Sequence, residues 1–327
     1  MTARGVYSTS TIAVRISMII TSFLFGWLYD NTPSVQKTSP IKNLAVYNLC
    51  PIHYNRFKET RGDFMLFHAE NGSIHNTDYI RFGTGPRTLV ILPGLGDGLK
   101  TVRGTALPMA WMYRIFAKEF TVFMFSRKSP LPQGHGTREM ARDLKEAMDE
   151  LGIEKADILG VSMGGMIAQW LAIDHPEKVS KLILAVTSAR PNGILTDSLE
   201  EWMDQARNDD HLALMESNLR KIYSPGYYRK SKPLLPLLAA ITKPKSYDRF
   251  LIQAEACLHH DAFGFLNTIA APTLVIGGEQ DQALGSAASR KMAQTIPNAQ
   301  LKIYPQWGHG LYEEAPDFNQ TILNFLR

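Results

Sequence analysis

From Asp63 to the C-terminus, short apolar runs alternate with segments of helical periodicity. No other property of this sequence narrows its fold as far. Strands that alternate with helices pair side by side in a mainly parallel sheet, with the helices laid over both faces. The expected fold class is therefore α/β. The chain's 327 residues suffice for one large domain of this kind with a sizeable core.

The alternation can be followed element by element. Residues 78–82 and 88–92 read as strands around the turn Gly83-Thr84-Gly85-Pro86. The second strand runs into Pro93-Gly94-Leu95-Gly96-Asp97-Gly98, which holds too many glycines for a helix and is expected to be a loop. Residues 106–118 are helical by pattern. Residues 120–125 form a continuous apolar run, as buried parallel strands do. Residues 137–151 have the spacing of an amphipathic helix, with Met140, Leu144, Ala147, Met148 and Leu151 on one side. Strands are expected at 155–159, 181–186, 273–276 and 300–304, and helices at 166–175 and 316–326. Between 191 and 263 the rhythm breaks into helical pattern with several prolines and bulky groups, among them Trp202, Met203, Leu212, Met215, Tyr223, Tyr227 and Tyr228. This segment is expected to be a helical cap over one end of the sheet, some of its aromatics shaping a pocket and others packing its own core.

Gly160-Val161-Ser162-Met163-Gly164-Gly165 lies midway through this pattern, after a strand and before a helix. A serine hydroxyl is a weak nucleophile at neutral pH and needs both exposure and a neighbouring base. A G-x-S-x-G turn between strand and helix provides the exposure. The turn is so tight that the positions two before and two after the serine must lack bulk, and the hydroxyl is left standing at the end of the sheet. Ser162 is accordingly the expected nucleophile. The negative charge that develops on an attacked carbonyl oxygen needs two backbone N–H donors. One is expected from Met163, directly after the nucleophile. The other is expected from Leu95 in the glycine-rich loop. That loop has neither G-x-G-x-x-G nor P-loop spacing, since position 99 is Leu, so dinucleotide binding is not indicated.

The base is expected at His309, in Gly308-His309-Gly310 between the last strand and the last helix, ahead of its rivals His135, His259 and His260. The acid that orients it should follow the preceding strand, where Gly277-Gly278-Glu279-Gln280-Asp281 offers two carboxylates. Asp281, farther into the loop, is the expected partner and Glu279 the alternative. The chain order is Ser, Asp, His.

On these residues the chain from about 64 to 327 resembles the α/β-hydrolase superfamily, in its serine esterase and lactonase branch. LPGLGDG, GVSMGG, GGEQD and GHGLYEEAP occur in the order of that family, and GVSMGGMIAQWLAIDHPEKVSKLIL is similar to the elbow helix and following strand of 3-oxoadipate enol-lactonase-like and cofactor-free haloperoxidase-like esterases. The resemblance implies the α/β-hydrolase fold with a cap at about 191–263. It also implies cleavage of a small-molecule carboxylic ester or lactone through Ser162, Asp281 and His309, with Leu95 and Met163 as the oxyanion hole and with no metal or cofactor. An acyltransferase, thioesterase or perhydrolase could use the same triad, and a non-catalytic ligand receptor could use the same fold. Pro93-Gly94 stands where the family often has His-Gly, and Ser126-Arg127-Lys128-Ser129 replaces its acidic-Arg-Gly segment. A serine at 162 argues against haloalkane dehalogenases, which would have aspartate there.

A net charge of +4 is too small to indicate a nucleic-acid partner. The densest basic stretch, 227–232, reads as a solvated loop or helix end. The two cysteines, Cys50 and Cys257, form no C-x-x-C pair and are expected to be free and buried. Residues 1–62 are set apart as an N-terminal extension. Within it, 16–29 are apolar behind Arg4 and Arg15. Three readings stay open: an upstream extension dispensable to a cytoplasmic enzyme that starts at Met65, an anchor or export signal that associates with the membrane, or an extra packed helix.

Overall fold

The computed structural model describes residues 68–327. The expectations for 1–62, for the apolar segment 16–29 and for Cys50 lie outside the described residues. Among the described residues no helix is long and apolar enough to cross a membrane.

Eight strands form one sheet: β1 (Glu70–Ile74), β2 (Thr77–Phe82), β3 (Arg87–Leu92), β4 (Phe120–Lys128), β5 (Ala156–Val161), β6 (Val179–Ala185), β7 (Thr273–Gly278) and β8 (Gln300–Tyr304). Their spatial order is β1-β2-β4-β3-β5-β6-β7-β8. The pairs β1–β2 and β2–β4 are antiparallel, and every pair from β4 to β8 is parallel. This is the α/β-hydrolase fold, with a mainly parallel sheet flanked by helices.

Inside the sheet the side chains alternate between two apolar layers, because successive Cβ atoms of a strand point to opposite faces. Val90, Leu92, Ile158, Leu182, Leu184 and Val275 enter one layer. Leu89, Ile91, Leu159, Ile183, Leu274 and Ile276 enter the other. The first layer is covered by α2 (Thr137–Glu150), α3 (Met163–Asp174) and α9 (Ala287–Thr295). The second is covered by α1 (Ala106–Met112) and α11 (Phe318–Leu326), with the short α10 (Leu311–Glu314) beside them. Between β6 and β7 lie five helices, α4 (Gly193–Arg207), α5 (His211–Ile222), α6 (Pro225–Ser231), α7 (Leu235–Thr242) and α8 (Asp248–Leu258).

The structure departs from the expected elements at several points. The loop after β3 is not helix-free: Leu95–Gly98 form a 3₁₀ turn. Its glycines are used for close approach, since a Cβ on Gly98 would lie 2.7 Å from Phe250 Cα while one on Gly96 would meet nothing within 4 Å. The helix expected over 106–118 stops at Met112 and continues as a 3₁₀ turn at Arg114–Phe116. β4 runs three residues past its apolar stretch, to Lys128. α3 starts at Met163 rather than 166, so the nucleophile loop has no slack before the helix. α9 was not expected, and the first strand, expected directly after Met65, begins at Glu70. β1 is a largely exposed edge strand with no apolar run to mark it.

Candidate active site

The four segments that carry the expected site leave the sheet at the carboxyl ends of β3, β5, β7 and β8. These strands are parallel, so their carboxyl ends share one edge. β3 and β5 are neighbours, with Leu92 opposite Gly160 in register. The chain turns from β3 to β4 on one side and returns to β5 on the other, and at such a reversal the loops part and leave a crevice.

Ser162 occupies φ 54°, ψ −121°, a conformation that an L-residue adopts only when its surroundings force it. Two glycines leave the space this turn needs. A Cβ on Gly160 would lie 2.6 Å from the Gly164 carbonyl oxygen, and one on Gly164 would lie 2.1 Å from the Leu92 carbonyl oxygen. The Ser162 amide donates to the Ala185 carbonyl at 2.9 Å, which ties the turn to β6. The side chain itself stays half-buried, at the mouth of a pocket.

His309 Nε2 lies 3.0 Å from Ser162 Oγ, and His309 Nδ1 lies 2.8 Å from Asp281 Oδ2. An ionised carboxylate only accepts, so Nδ1 carries the proton and Nε2 is left to accept from the serine hydroxyl. Asp281 Oδ1 accepts the backbone amides of Ala283 and Leu284 at 2.9 and 3.0 Å. Burial pushes the Asp281 carboxyl up, but His309 and these two amides outweigh it and hold the group below the usual carboxylate value. Gly308 and Gly310 let the histidine loop pass close to its neighbours. A Cβ on Gly308 would lie 3.0 Å from the Gln280 carbonyl oxygen, and one on Gly310 would lie 2.9 Å from Tyr223.

Glu279, the alternative acid, is exposed and pairs with Arg290 and Ser286. The other histidines are engaged elsewhere. His135 Nε2 meets Asp143 at 2.6 Å. His259 is exposed. His260 faces neither solvent nor pocket: it is buried, with Nδ1 2.9 Å from Thr137 Oγ1 and its ring against Trp170. Burial lowers its pKa to about 3.

Leu95 and Met163 each open a helical turn, where the first N–H groups have no intrahelical acceptor. Both residues line the same pocket as Ser162 and His309, on opposite sides of the β3–β5 crevice. The pocket measures about 300 Å³ including its mouth, and the rest of its wall is Met166, Leu195, Leu199, Trp202, Cys257 and Ala283. Of the bulky groups between 191 and 263, Trp202 thus serves the pocket. Met203 packs into the core, Tyr223 stacks on Tyr227, and Leu212 is 40% exposed. Cys257 is free and buried, and burial raises its thiol pKa to about 12. Among the described residues no group of three His, Cys, Asp or Glu side chains is placed to hold a metal ion.

Sequence reasoning did not find what holds the loop of Leu95. Asp97 is buried beneath it. Its Oδ2 accepts the Arg127 amide at 3.1 Å and forms ion pairs with the guanidinium groups of Arg127 and Arg249. Arg127 also donates through Nη2 to the Pro93 carbonyl at 2.5 Å, and Arg249 donates to the carbonyls of Asp97, Arg127 and Lys128. Arg249 belongs to α8, so a helix between β6 and β7 reaches across to the loop after β3. The available signal was a charge at the end of an apolar strand, Arg127, in the segment that departs from the family pattern. The basic stretch 227–232 is a helix end as expected, with Arg229 and Lys230 exposed and Lys232 paired with Glu216 at 3.0 Å.

Comparison with known proteins gives the family. The family described as alpha/beta hydrolase fold matches residues 87–316, over two-thirds of the chain, and the chain belongs to it. A 2-hydroxy-6-oxononadienedioate/2-hydroxy-6-oxononatrienedioate hydrolase of Klebsiella pneumoniae is 30% identical over 258 residues, covering 75% of this chain and 88% of that protein. 3-Oxoadipate enol-lactonase 2 of Acinetobacter baylyi is 25% identical over 255 residues, covering 75% and 91%. Among solved structures, the enol-lactonase of Burkholderia xenovorans LB400 superposes with a TM-score of 0.66 at 22% identity, covering 79% of this chain and 99% of that one, a likeness of fold. The chain is an α/β-fold hydrolase.

Proposed function

We propose that the protein is a serine hydrolase that cleaves a small carboxylic ester or lactone through an acyl-enzyme on Ser162. The observation that carries this reading is the unbroken contact from Ser162 Oγ through His309 to the buried Asp281. As Ser162 Oγ attacks the carbonyl carbon, its proton passes to His309 Nε2. Asp281 holds the ring in the tautomer that can accept it and stabilises the resulting imidazolium. The carbonyl oxygen becomes an oxyanion within reach of the Leu95 and Met163 amides, each such donor being worth about 2.7–4 kcal/mol in the transition state. His309 then protonates the departing alkoxide, and the ester oxygen leaves as an alcohol. Water enters, gives a proton to His309 and attacks the acyl carbon. The acid departs, and the proton returns to Ser162. The named relatives act on a lactone or an oxo-dienedioate, and both names fit carbonyl attack in a site of this geometry.

The reading is tested with a fluorophosphonate probe and peptide mapping. One adduct on Ser162, absent from Ser162→Ala at equal fold stability, is the expected result. Adducts elsewhere, or equal ester turnover by Ser162→Ala, would remove Ser162 from its role.

A further inference from the structure

The wall of the pocket restricts the acyl group. Beyond Ser162 and His309, the side chains that line it are hydrocarbon, thioether, indole and the neutral thiol of Cys257. No Lys or Arg is among them. The indole N–H of Trp202 is already committed, donating to Ser217 Oγ at 3.1 Å.

Three cations in the neighbourhood of this wall are committed too. Arg249 is spent on Asp97 and three carbonyl groups. Lys221, with Nζ 5.9 Å from the centre of the Trp202 ring, is bound to Glu201 at 2.6 Å. Arg127 is buried between Asp97 and Pro93. A carboxylate carried into this pocket would lose its water and find no positive partner, which strongly disfavours binding. Size sets a second limit, because the whole space, open mouth included, is only about 300 Å³.

We propose that the acyl pocket accepts a compact, uncharged acyl group and rejects acyl chains that end in a carboxylate. This rests on the hydrolase reading above. It separates the chain from its relatives: enzymes named for an adipate and a dienedioate handle substrates with carboxylates, and this pocket has nothing to receive one. The natural substrate is then a neutral ester or lactone of a short aliphatic or small aromatic acid.

Methyl butyrate, methyl laurate, dimethyl glutarate and monomethyl glutarate, with the full-length protein and proton NMR to follow methanol, decide the matter. Dimethyl and monomethyl glutarate have the same acyl skeleton and differ in one neutral or charged end. The expected result is release of one methanol from dimethyl glutarate and then arrest at the monoester. The expected kcat/KM for monomethyl glutarate is about 100-fold or more below that for methyl butyrate, and laurate also falls well below butyrate. Leu199→Arg, which sets a cation in the wall, is expected to narrow the gap between the two glutarates. The comparison in the unaltered protein stands whether or not that variant folds. Release of both methanols at similar rates, or preference for the monoester, overturns the inference while leaving the hydrolase reading intact. So does a fluorophosphonate adduct on Ser162 without turnover of butyrate. Absence of any adduct overturns the hydrolase reading, and this inference with it.

Discussion

At Ser162 the strained backbone has room only because Gly160 and Gly164 lack side chains, and the nearby glycines differ sharply in what they allow. A Cβ on Gly164 would run into the main chain of Leu92, which belongs to the centre of the sheet and cannot retreat. Gly164→Ala is expected to cost about 3 kcal/mol or more, at the upper end of overpacking, and to abolish labelling of Ser162. Gly96→Ala meets nothing and is expected to change stability by less than about 0.5 kcal/mol. Urea denaturation of the two variants checks the contrast; equal losses would mean that loop flexibility, not space, requires the glycines. Asp281 gives a second expectation. Its carboxyl is held below the ordinary value in the fold, so the native state favours the ionised form more than the unfolded chain does. That contribution to stability is complete above the unfolded pKa of about 4 and is lost as pH falls through the lowered folded value. The stability gap between the parent and Asp281→Asn should therefore shrink between pH 6 and pH 3. A gap that widens on acidification would contradict the ionised pairing with His309.

Elements meet at the site through clamps that the expected secondary structure does not contain. α8 anchors the loop of Leu95 through Arg249 and Asp97, and the end of α5 anchors the loop of His309. There the Gly310 amide donates to the Ile222 carbonyl at 2.6 Å, and Ser224 Oγ donates to Glu314 at 2.6 Å. The helices between β6 and β7 thus brace both loops that flank Ser162. Arg249→Met leaves Asp97 buried with Arg127 as its one cation. It is expected to cost about 3 kcal/mol, the low end for breaking a buried pair, and to lower the melting temperature by roughly 6–12 °C. It should also reduce kcat more than it raises KM, since the displaced amide acts on the oxyanion, and Arg249→Lys should recover part of the loss. A variant with unchanged kcat and a lower melting point would confine Arg249 to structure. These contacts also show where legibility ends. β3, β5, β6 and β7 were readable because buried parallel strands are continuous apolar runs, and the motifs at 160–165 and 308–310 sit where loop geometry dictates their composition. β1 is an edge strand without an apolar face, and α9 buries only Ser289 and Met292, too few side chains to mark an apolar stripe. Asp97, Arg127 and Arg249 meet across 152 residues of chain, and nothing in local composition reports that pairing. Neither the pocket wall nor the burial of His260 has any local signature either, because both depend on how the five helices fold back.

For the whole molecule, the question is how much chain the fold needs. All eight strands, both apolar layers, the two clamps and every residue of the candidate site fall within the described residues 68–327. Among these residues α2, α3 and α9 cover one layer, and α1 and α11, with α10 beside them, cover the other. The edge strand β1 begins at Glu70 and is paired along its whole length with β2. A domain with its own sheet and core on both faces has what independent folding requires. We therefore propose that residues 63–327 form the hydrolase domain and that a chain beginning at Met65 folds by itself. Its melting temperature should lie within a few degrees of the full-length protein's, and its kcat/KM on methyl butyrate should be preserved within a factor of about two. Thermal scans and progress curves on the two chains, purified side by side in the same detergent-free buffer, give the comparison. A truncated chain that is folded but inactive would assign the first 64 residues a part in the site. One that aggregates or melts far lower would assign them a part in the core, for example as a helix packed on one of the layers. Equal stability and activity would leave those residues free for a task outside catalysis, and membrane association can then be tested on the full-length chain alone by flotation with vesicles.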